Sequence, residues 1–246
     1  MNRSEAIERA GDKDRGIGMA AGKLYIIATP IGNLEDITLR ALRVLGDVDL
    51  VASEDTRTTG RLLSRYDIRT PQTSYFEHNE QHKTPQLLDR LEQGLRLALV
   101  TDAGTPCISD PGYRLVAGAI ERGIPVEALP GACAALSALC IAGLPVHRFA
   151  FEGFLPPKAG RRRRTLEALA ADEHTLIFYE SPHRITAAVR DMLAALGDRR
   201  AVLVREQTKL HEEVIRAGLA DMLAALEDRT LKGEITLVVE GCRAHR

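Results

Sequence analysis

Three short apolar runs each end in a segment rich in glycine and proline. These are Thr29-Pro30-Ile31-Gly32-Asn33, Asp102-Ala103-Gly104-Thr105-Pro106 and Pro130-Gly131-Ala132-Cys133. Glycine lets a backbone approach a ligand and proline presets the turn, so such loops suit a ligand held by main-chain groups. Asp102 adds a carboxylate at a strand end, able to grip ribose hydroxyls or an amino group. Any one of these loops is equally well explained as a simple turn; three at successive strand ends point to a site, because open α/β sheets bind ligands beyond the carboxyl ends of their strands.

Two phosphate-binding signatures are missing. Gly16-Ile17-Gly18 precedes the first apolar run instead of following it, so no G-x-G-x-x-G turn supports a Rossmann oxidoreductase, and there is no G-x-x-x-x-G-K-[ST] run. His78 and His82 stand four apart around Glu80, but the acid falls at the wrong offset for H-E-x-x-H. Substrate contact by His78 and Asn79, or ordinary surface polarity, explains them better than a metal. Cys107, Cys133, Cys140 and Cys242 form no C-x-x-C pair, which fits reduced thiols in a cytosolic protein. Cys133 and Cys140, seven apart on one helical face, are expected to pack as small apolar groups.

The elements that must position these residues alternate. A strand over 24–29 feeds a helix over 36–45. A strand at 50–53, helices near 59–66 and 85–93, a strand at 97–101, a helix over 113–122, a strand at 126–129 and an alanine-rich helix over 132–142 follow. This rhythm predicts a mostly parallel sheet covered on both faces. Gly143-Leu144-Pro145 breaks the pattern. A second series then runs through strands at 149–154, 175–179, 201–205, 213–217 and 234–240, with helices over 163–171, 183–196 and 219–226. Only a short polar link joins 201–205 to 213–217, so part of this sheet is expected to be antiparallel. The reading is an α/β chain with domains over 22–144 and 145–242 behind an N-terminal tail of residues 1–21.

Composition narrows the class. The 246 residues are 45% hydrophobic, 27% charged and 4% aromatic, and no apolar run approaches the roughly 20 residues of a membrane span. Membrane-spanning, collagen-like and disordered chains are excluded. Lys plus Arg, 33, nearly cancels Asp plus Glu, 34, so a nucleic-acid partner must be met by a local basic patch. The first 21 residues mix charge with glycine and hold no apolar secretory core, so a mobile tail and a cytoplasmic location are expected.

Across residues 22–241 a series of strings occurs in order: TPIGNLEDIT (29–38), ASEDTR (52–57), HNEQ (78–81), TDAGTP (101–106), DPG (110–112), LPGACAA (129–135), FEGFLP (151–156), IFYESPHR (177–184), REQTK (205–209) and GE (233–234). Together they make the chain resemble the tetrapyrrole methylase-like family of S-adenosylmethionine-dependent methyltransferases. Within it, the resemblance is to the bacterial branch that methylates the ribose 2′-oxygen of a cytidine in small-subunit (16S) ribosomal RNA. One departure is Pro130-Gly131-Ala132-Cys133, where Pro-Gly-Pro-Cys is expected, which loosens a loop lining the cofactor site.

The resemblance implies two α/β domains, the first with a mostly parallel sheet and the second with a mixed one. It also implies S-adenosylmethionine in the cleft between them and a homodimer acting on the small ribosomal subunit or its 16S rRNA. Cofactor-binding positions carried over are Pro30, Asp102, Gly104, Thr105, Ala132, Cys133, Phe178, Tyr179, Glu234 and Ile235. A ribose hydroxyl is a poor nucleophile, so a neighbouring base is needed, and Glu54, Asp55, His183 and Lys209 are the unranked candidates. Asp55 and Glu54 equally suit a helix N-terminus, and Lys209 a surface ion pair. Arg161, Arg162, Arg163 and Arg164, preceded by Lys158 and Gly160, read either as RNA-phosphate contacts on a mobile loop or as a solvated helix start. No metal is called for. Two other functions are compatible with the residues: methylation of a tetrapyrrole-like small molecule, and a non-catalytic ribosome-associated module.

Overall fold

The computed structural model describes residues 22–242; the expected tail over residues 1–21 lies outside the described residues. The first half contains β1 (Lys23–Ile27), a 3-10 turn (Leu34–Asp36), α1 (Leu39–Asp47), β2 (Leu50–Ser53), α2 (Thr56–Arg65) and β3 (Gln72–Ser74). It continues with α3 (Glu80–Glu92), β4 (Arg96–Val100), α4 (Tyr113–Glu121), β5 (Val126–Leu129) and α5 (Ala134–Ala142). Its five strands run parallel in the order β3-β2-β4-β1-β5. Alternation along β4 explains why both faces are covered. Leu97 and Leu99 join Leu87, Leu91 and Leu115 of α3 and α4, while Ala98 and Val100 join Val44, Leu45, Leu62 and Leu63 of α1 and α2. The α/β expectation and the parallel sheet hold.

The second half contains β6 (Phe149–Phe154), α6 (Ala159–Ala168), β7 (Thr175–Glu180), α7 (Ile185–Leu196), β8 (Arg200–Arg205), β9 (Glu213–Gly218), α8 (Leu219–Glu227) and β10 (Ile235–Val239). The order is β6-β7-β10-β8-β9; β6 and β7 are parallel and the remaining pairs antiparallel, a mixed sheet as expected. Phe178, Leu203 and Leu237 face α6, α7 and α8. The other face, Ile177, Val202, Val204 and Val238, is covered by Ala135, Ala138, Leu139 and Ala142 of α5. Small side chains let that helix lie close to the sheet, and Gly143 ends it in the left-handed conformation at φ 69°. A helix from the first half therefore completes the core of the second.

Several local expectations are corrected. β3 has no counterpart among the expected strands: Gln72, Thr73 and Ser74 carry no apolar alternation and gain their strand by pairing with β2 at the sheet edge. α3 starts at Glu80 and contains Pro85, the residue expected to open it. α6 starts at Ala159, so the four arginines lie on a helix and not on a mobile loop. Cys140 is exposed instead of packed, while Cys133 sits at the N-cap of α5.

Candidate active site

The three loops converge. The peptide N–H of Thr29 donates to the carbonyl of Gly104 at 2.9 Å, Gly104 N–H returns the bond at 3.0 Å, and Thr29 Oγ1 donates to the carbonyl of Thr101. Thr105 Oγ1 donates to the carbonyl of Ala132 at 3.0 Å, tying the second loop to the third. Gly104 adopts φ +82°, a conformation that a side chain would strain. The second half closes the other wall. Tyr179 Oη accepts from the Ala135 N–H at 3.2 Å, and Asn33 N–H donates to Thr208 Oγ1 at 3.1 Å. A side chain at Gly32 would collide with Lys209, so the loop after β1 can seat against 207–209 only as glycine.

Between these walls is a cavity of about 320 Å³, within the range of small-ligand sites. Asp102, Gly104, Thr105, Cys133, Tyr179, Glu234 and Ile235 line it, as does Glu54. Pro30, Ala132 and Phe178 do not. Pro30 is buried behind the loop, Ala132 is committed through its carbonyl to Thr105, and the Phe178 ring is fully buried in the core of the second sheet. Among the described residues five carboxylates line the cavity, Glu54, Asp102, Asp110, Glu180 and Glu234, and no lysine, arginine or histidine does. Such a wall favours a cationic ligand over an anionic one.

The candidate bases separate on this geometry. Asp55 caps α2, accepting from the Arg57 N–H at 2.8 Å and pairing with the Arg57 guanidinium at 2.7 Å; that hydrogen bonding holds its carboxyl down at about 2. It is the helix-terminus residue that its sequence position allowed, and a weak base. Lys209 bridges Glu206 at 2.8 Å and Glu234 at 3.0 Å. Burial works against its charge, but the two acceptors outweigh it and raise its pKa, so the amine stays protonated. His183 is exposed and does not line the cavity. Glu54 does line it, and burial followed by repulsion from Asp102 pushes its carboxyl up.

Sequence reasoning missed Asp110. It lines the cavity, and burial, then repulsion from Glu54, pushes its carboxyl up to about 7. The DPG string was its only signal. Glu180 was missed too: it is 3% exposed, pairs with Arg184 at 2.6 Å through Oε1, and among the described residues leaves Oε2 without a hydrogen-bond donor.

The residues expected to meet RNA divide. The Arg162 guanidinium is buried against Asp191, with Nε at 2.7 Å from Oδ2, so it is a core ion pair and not a phosphate contact. Arg163 reaches the same carboxylate from the surface at 2.8 Å, while Arg161 and Arg164 face solvent. Asn79 uses both ends of its amide locally, accepting from Phe76 N–H and donating to Ser74. His78 stays exposed against the edge of Phe76. Among the described residues no group of three or more His, Cys, Asp or Glu is arranged to hold a metal, and no helix is long and apolar enough to cross a membrane.

The profile of the Tetrapyrrole (Corrin/Porphyrin) Methylases family matches residues 23–223. The chain belongs to that family. It is 52% identical over 224 residues to the ribosomal RNA small subunit methyltransferase I of Haemophilus influenzae, covering 89% of this chain and 79% of that protein. With the protein of the same name from Escherichia coli O157:H7 it shares 51% over 226 residues, covering 91% and 79%. Among solved structures, uroporphyrin-III-C-methyltransferase of Thermus thermophilus superposes with a TM-score of 0.63 at 22% identity, covering 88% of this chain and 94% of that one. Cobalt precorrin-4 methyltransferase superposes at 0.64 with 19% identity, covering 94% and 98%. At those identities the structural likeness speaks for the fold alone.

Proposed function

We propose that this chain transfers the methyl group of S-adenosylmethionine to the ribose 2′-hydroxyl of a cytidine in small-subunit (16S) ribosomal RNA. The observation that carries this reading is the identity of about half the residues, over about nine-tenths of the chain, with proteins named ribosomal RNA small subunit methyltransferase I. The cavity supports the cofactor part of it. Its wall of carboxylates suits a ligand bearing a sulfonium and an ammonium, and the turn at Gly104 brings peptide groups of 103–105 to its surface. When bound, S-adenosylmethionine supplies an electrophilic methyl group that must face its acceptor in line.

The chain's own residues would do the rest. Peptide groups at 103–105 and 133–134, with Asp102, hold the cofactor. Tyr179, whose hydroxyl burial pushes up to about 12, stays protonated and fixes the start of α5 against the cleft. Arg161 and Arg164, with the exposed part of Arg163, meet RNA phosphates, because a chain of near-zero net charge must neutralise them locally. His78 is an exposed substrate contact on the same reading. The two units, 22–144 and 145–242, close on the cofactor with α5 as the shared element, and the working form is a cytoplasmic homodimer.

Incubating the protein with tritiated S-adenosylmethionine and either hypomethylated small subunits or a precorrin-type macrocycle tests this reading. Label recovered as 2′-O-methylcytidine is expected. Label in the macrocycle, or in neither acceptor, overturns it.

A further inference from the structure

The acceptor hydroxyl must lose its proton as the new bond forms, and the charge states of the groups around the cleft leave few acceptors. Asp55 is committed to Arg57, Lys209 to two carboxylates, and His183 does not line the cavity; Glu54 and Asp102 line the cofactor cavity but not the neighbouring one. Asp110 is differently placed. With Ser109 it lines the cofactor cavity and also a second cavity, of about 460 Å³, lined by Glu77, Cys107, Pro111 and Tyr113 among others. These two residues form the wall between a space fit for the cofactor and a space open to a second reactant.

The backbone that carries them is strained. Cys107 at φ 72° and Ser109 at φ 61° are left-handed without being glycine, and Gly112 stands at φ 139°. A Cβ on Gly112 would lie 2.7 Å from Cys107 Sγ and 2.8 Å from Leu99 Cδ2. Residues held in such conformations cost on the order of 1–3 kcal/mol each and persist where the surrounding fold holds a side chain to one aim. α4 begins directly after Gly112, anchoring one end of the loop through Val116 N–H to the Gly112 carbonyl at 3.0 Å.

We infer that Asp110 is the catalytic base of the methyl transfer, taking the acceptor hydroxyl's proton at the junction of the two cavities. This rests on the methyltransferase reading above. A carboxylate oxygen of Asp110 accepts the proton while the O–CH3 bond forms; the CH3–S bond breaks with its electron pair left on sulfur, and the proton passes from Asp110 to water afterwards. A carboxyl pushed up to about 7 is matched to this task, since a base works best with a pKa near the operating pH. The charged groups lining the two cavities with it are Glu54, Asp102, Glu234 and the Arg184-paired Glu180 on the cofactor side and Glu77 and Glu80 on the other, with Arg114 held by Glu80 at 2.9 Å. A cationic cofactor offsets part of that repulsion and draws the working pKa downward.

The test measures methyl transfer to hypomethylated small subunits against pH for wild type, Asp110→Asn and Asp110→Glu, together with calorimetry of S-adenosylmethionine and S-adenosylhomocysteine. Wild type should show an acid limb in kcat, and Asp110→Asn should lose roughly 100-fold or more in kcat and lose the limb. Asp110→Glu should recover part of the rate and keep the limb. In wild type without RNA, S-adenosylmethionine should bind more tightly as pH rises through neutrality while S-adenosylhomocysteine does not, and Asp110→Asn should abolish the difference. A wild-type enzyme that labels RNA while Asp110→Asn keeps its rate and pH profile overturns this inference alone; a wild-type enzyme that labels no RNA overturns the reading beneath it. Should Asp110→Asn not fold, a wild-type kcat flat from about pH 5 to about pH 8 overturns the assignment by itself.

Discussion

Asp102 both holds a helix start and borders the cavity. Its Oδ1 accepts from the Asp55 N–H at 3.0 Å, steadying the start of α2, while the residue lines the cavity proposed for the cofactor. The hydrogen bond is at the surface and neutral-to-charged, so losing it should cost the fold under about 1 kcal/mol, within the ordinary range for exposed sites. Losing the hold on a ligand should cost more. Asp102→Ala is therefore expected to raise the Kd for S-adenosylmethionine about tenfold, roughly 1.4 kcal/mol, with urea denaturation little changed. An unchanged Kd removes Asp102 from the site, and an unfolded variant makes it structural. Asp110 allows a second measurement at this scale. Its carboxyl titrates higher in the fold than in the unfolded chain, so folding is penalised as pH rises from about 4 to about 7, and the penalty persists above. Asp110→Asn should thus be more stable than wild type at pH 8, on the order of 2 kcal/mol, with the gain vanishing below about pH 4. Equal denaturation midpoints at both pH values would show that the carboxyl is not strained by its surroundings.

α6 shows how one helix turns a run of like charges to different ends. Successive residues on a helix point about 100° apart, so four arginines in a row cannot share a face. Arg162 points inward to Asp191 on α7, alongside the buried Leu166, while its neighbours point out. Removing one member of a buried pair leaves the other charge without its partner, so Arg162→Ala should destabilise the protein by roughly 3–5 kcal/mol. Arg163 is the second arginine on Asp191 and limits that loss, placing the expectation at the lower end. The double change Arg161→Ala and Arg164→Ala should leave stability and cofactor affinity alone. It should weaken binding to small subunits and lower the slope of log affinity against log salt by somewhat under one unit for each phosphate that is no longer neutralised. Titrations at several salt concentrations decide it, and equal slopes mean the two side chains only face water.

At the scale of the whole molecule, the cleft exists because α5 belongs to both halves. It leaves the third glycine- and proline-containing loop at Cys133 and then covers the second sheet with Ala135, Ala138, Leu139 and Ala142. A ligand gripped from both sides should hold the halves together, so S-adenosylhomocysteine should raise the thermal midpoint, by about 2.7 kcal/mol of stability at a hundredfold excess over Kd. On the metal-free reading the shift should survive a chelator. Loss of the shift on chelation would contradict the metal-free reading. Leu39, Tyr113, Ile120 and Leu210 are large apolar side chains left well exposed. Light scattering should give twice the chain mass of 26.9 kDa if the proposed homodimer forms.

What the amino-acid sequence determined by itself is what depends on near neighbours along the chain. Apolar runs ending in Gly/Pro loops marked the strand ends around Thr29, Thr101 and Leu129, and the alternation of strands with helices set the parallel first sheet. The missing helix between 205 and 213 announced antiparallel pairing. Ten ordered strings identified the family. What only the tertiary structure decided is what depends on residues far apart in sequence meeting in space. β3 is a strand because β2 lies beside it, and Arg162 is buried because α7 brings Asp191 to it across 29 positions. Asp110 is suited to act as a base because burial strips water from its carboxyl and Glu54, Asp102 and Glu234, from separate connections, crowd the same cavity. Turn chemistry and periodicity are local energies that a string of residues carries with it; burial and charge coupling are sums over neighbours that exist only once the chain has folded.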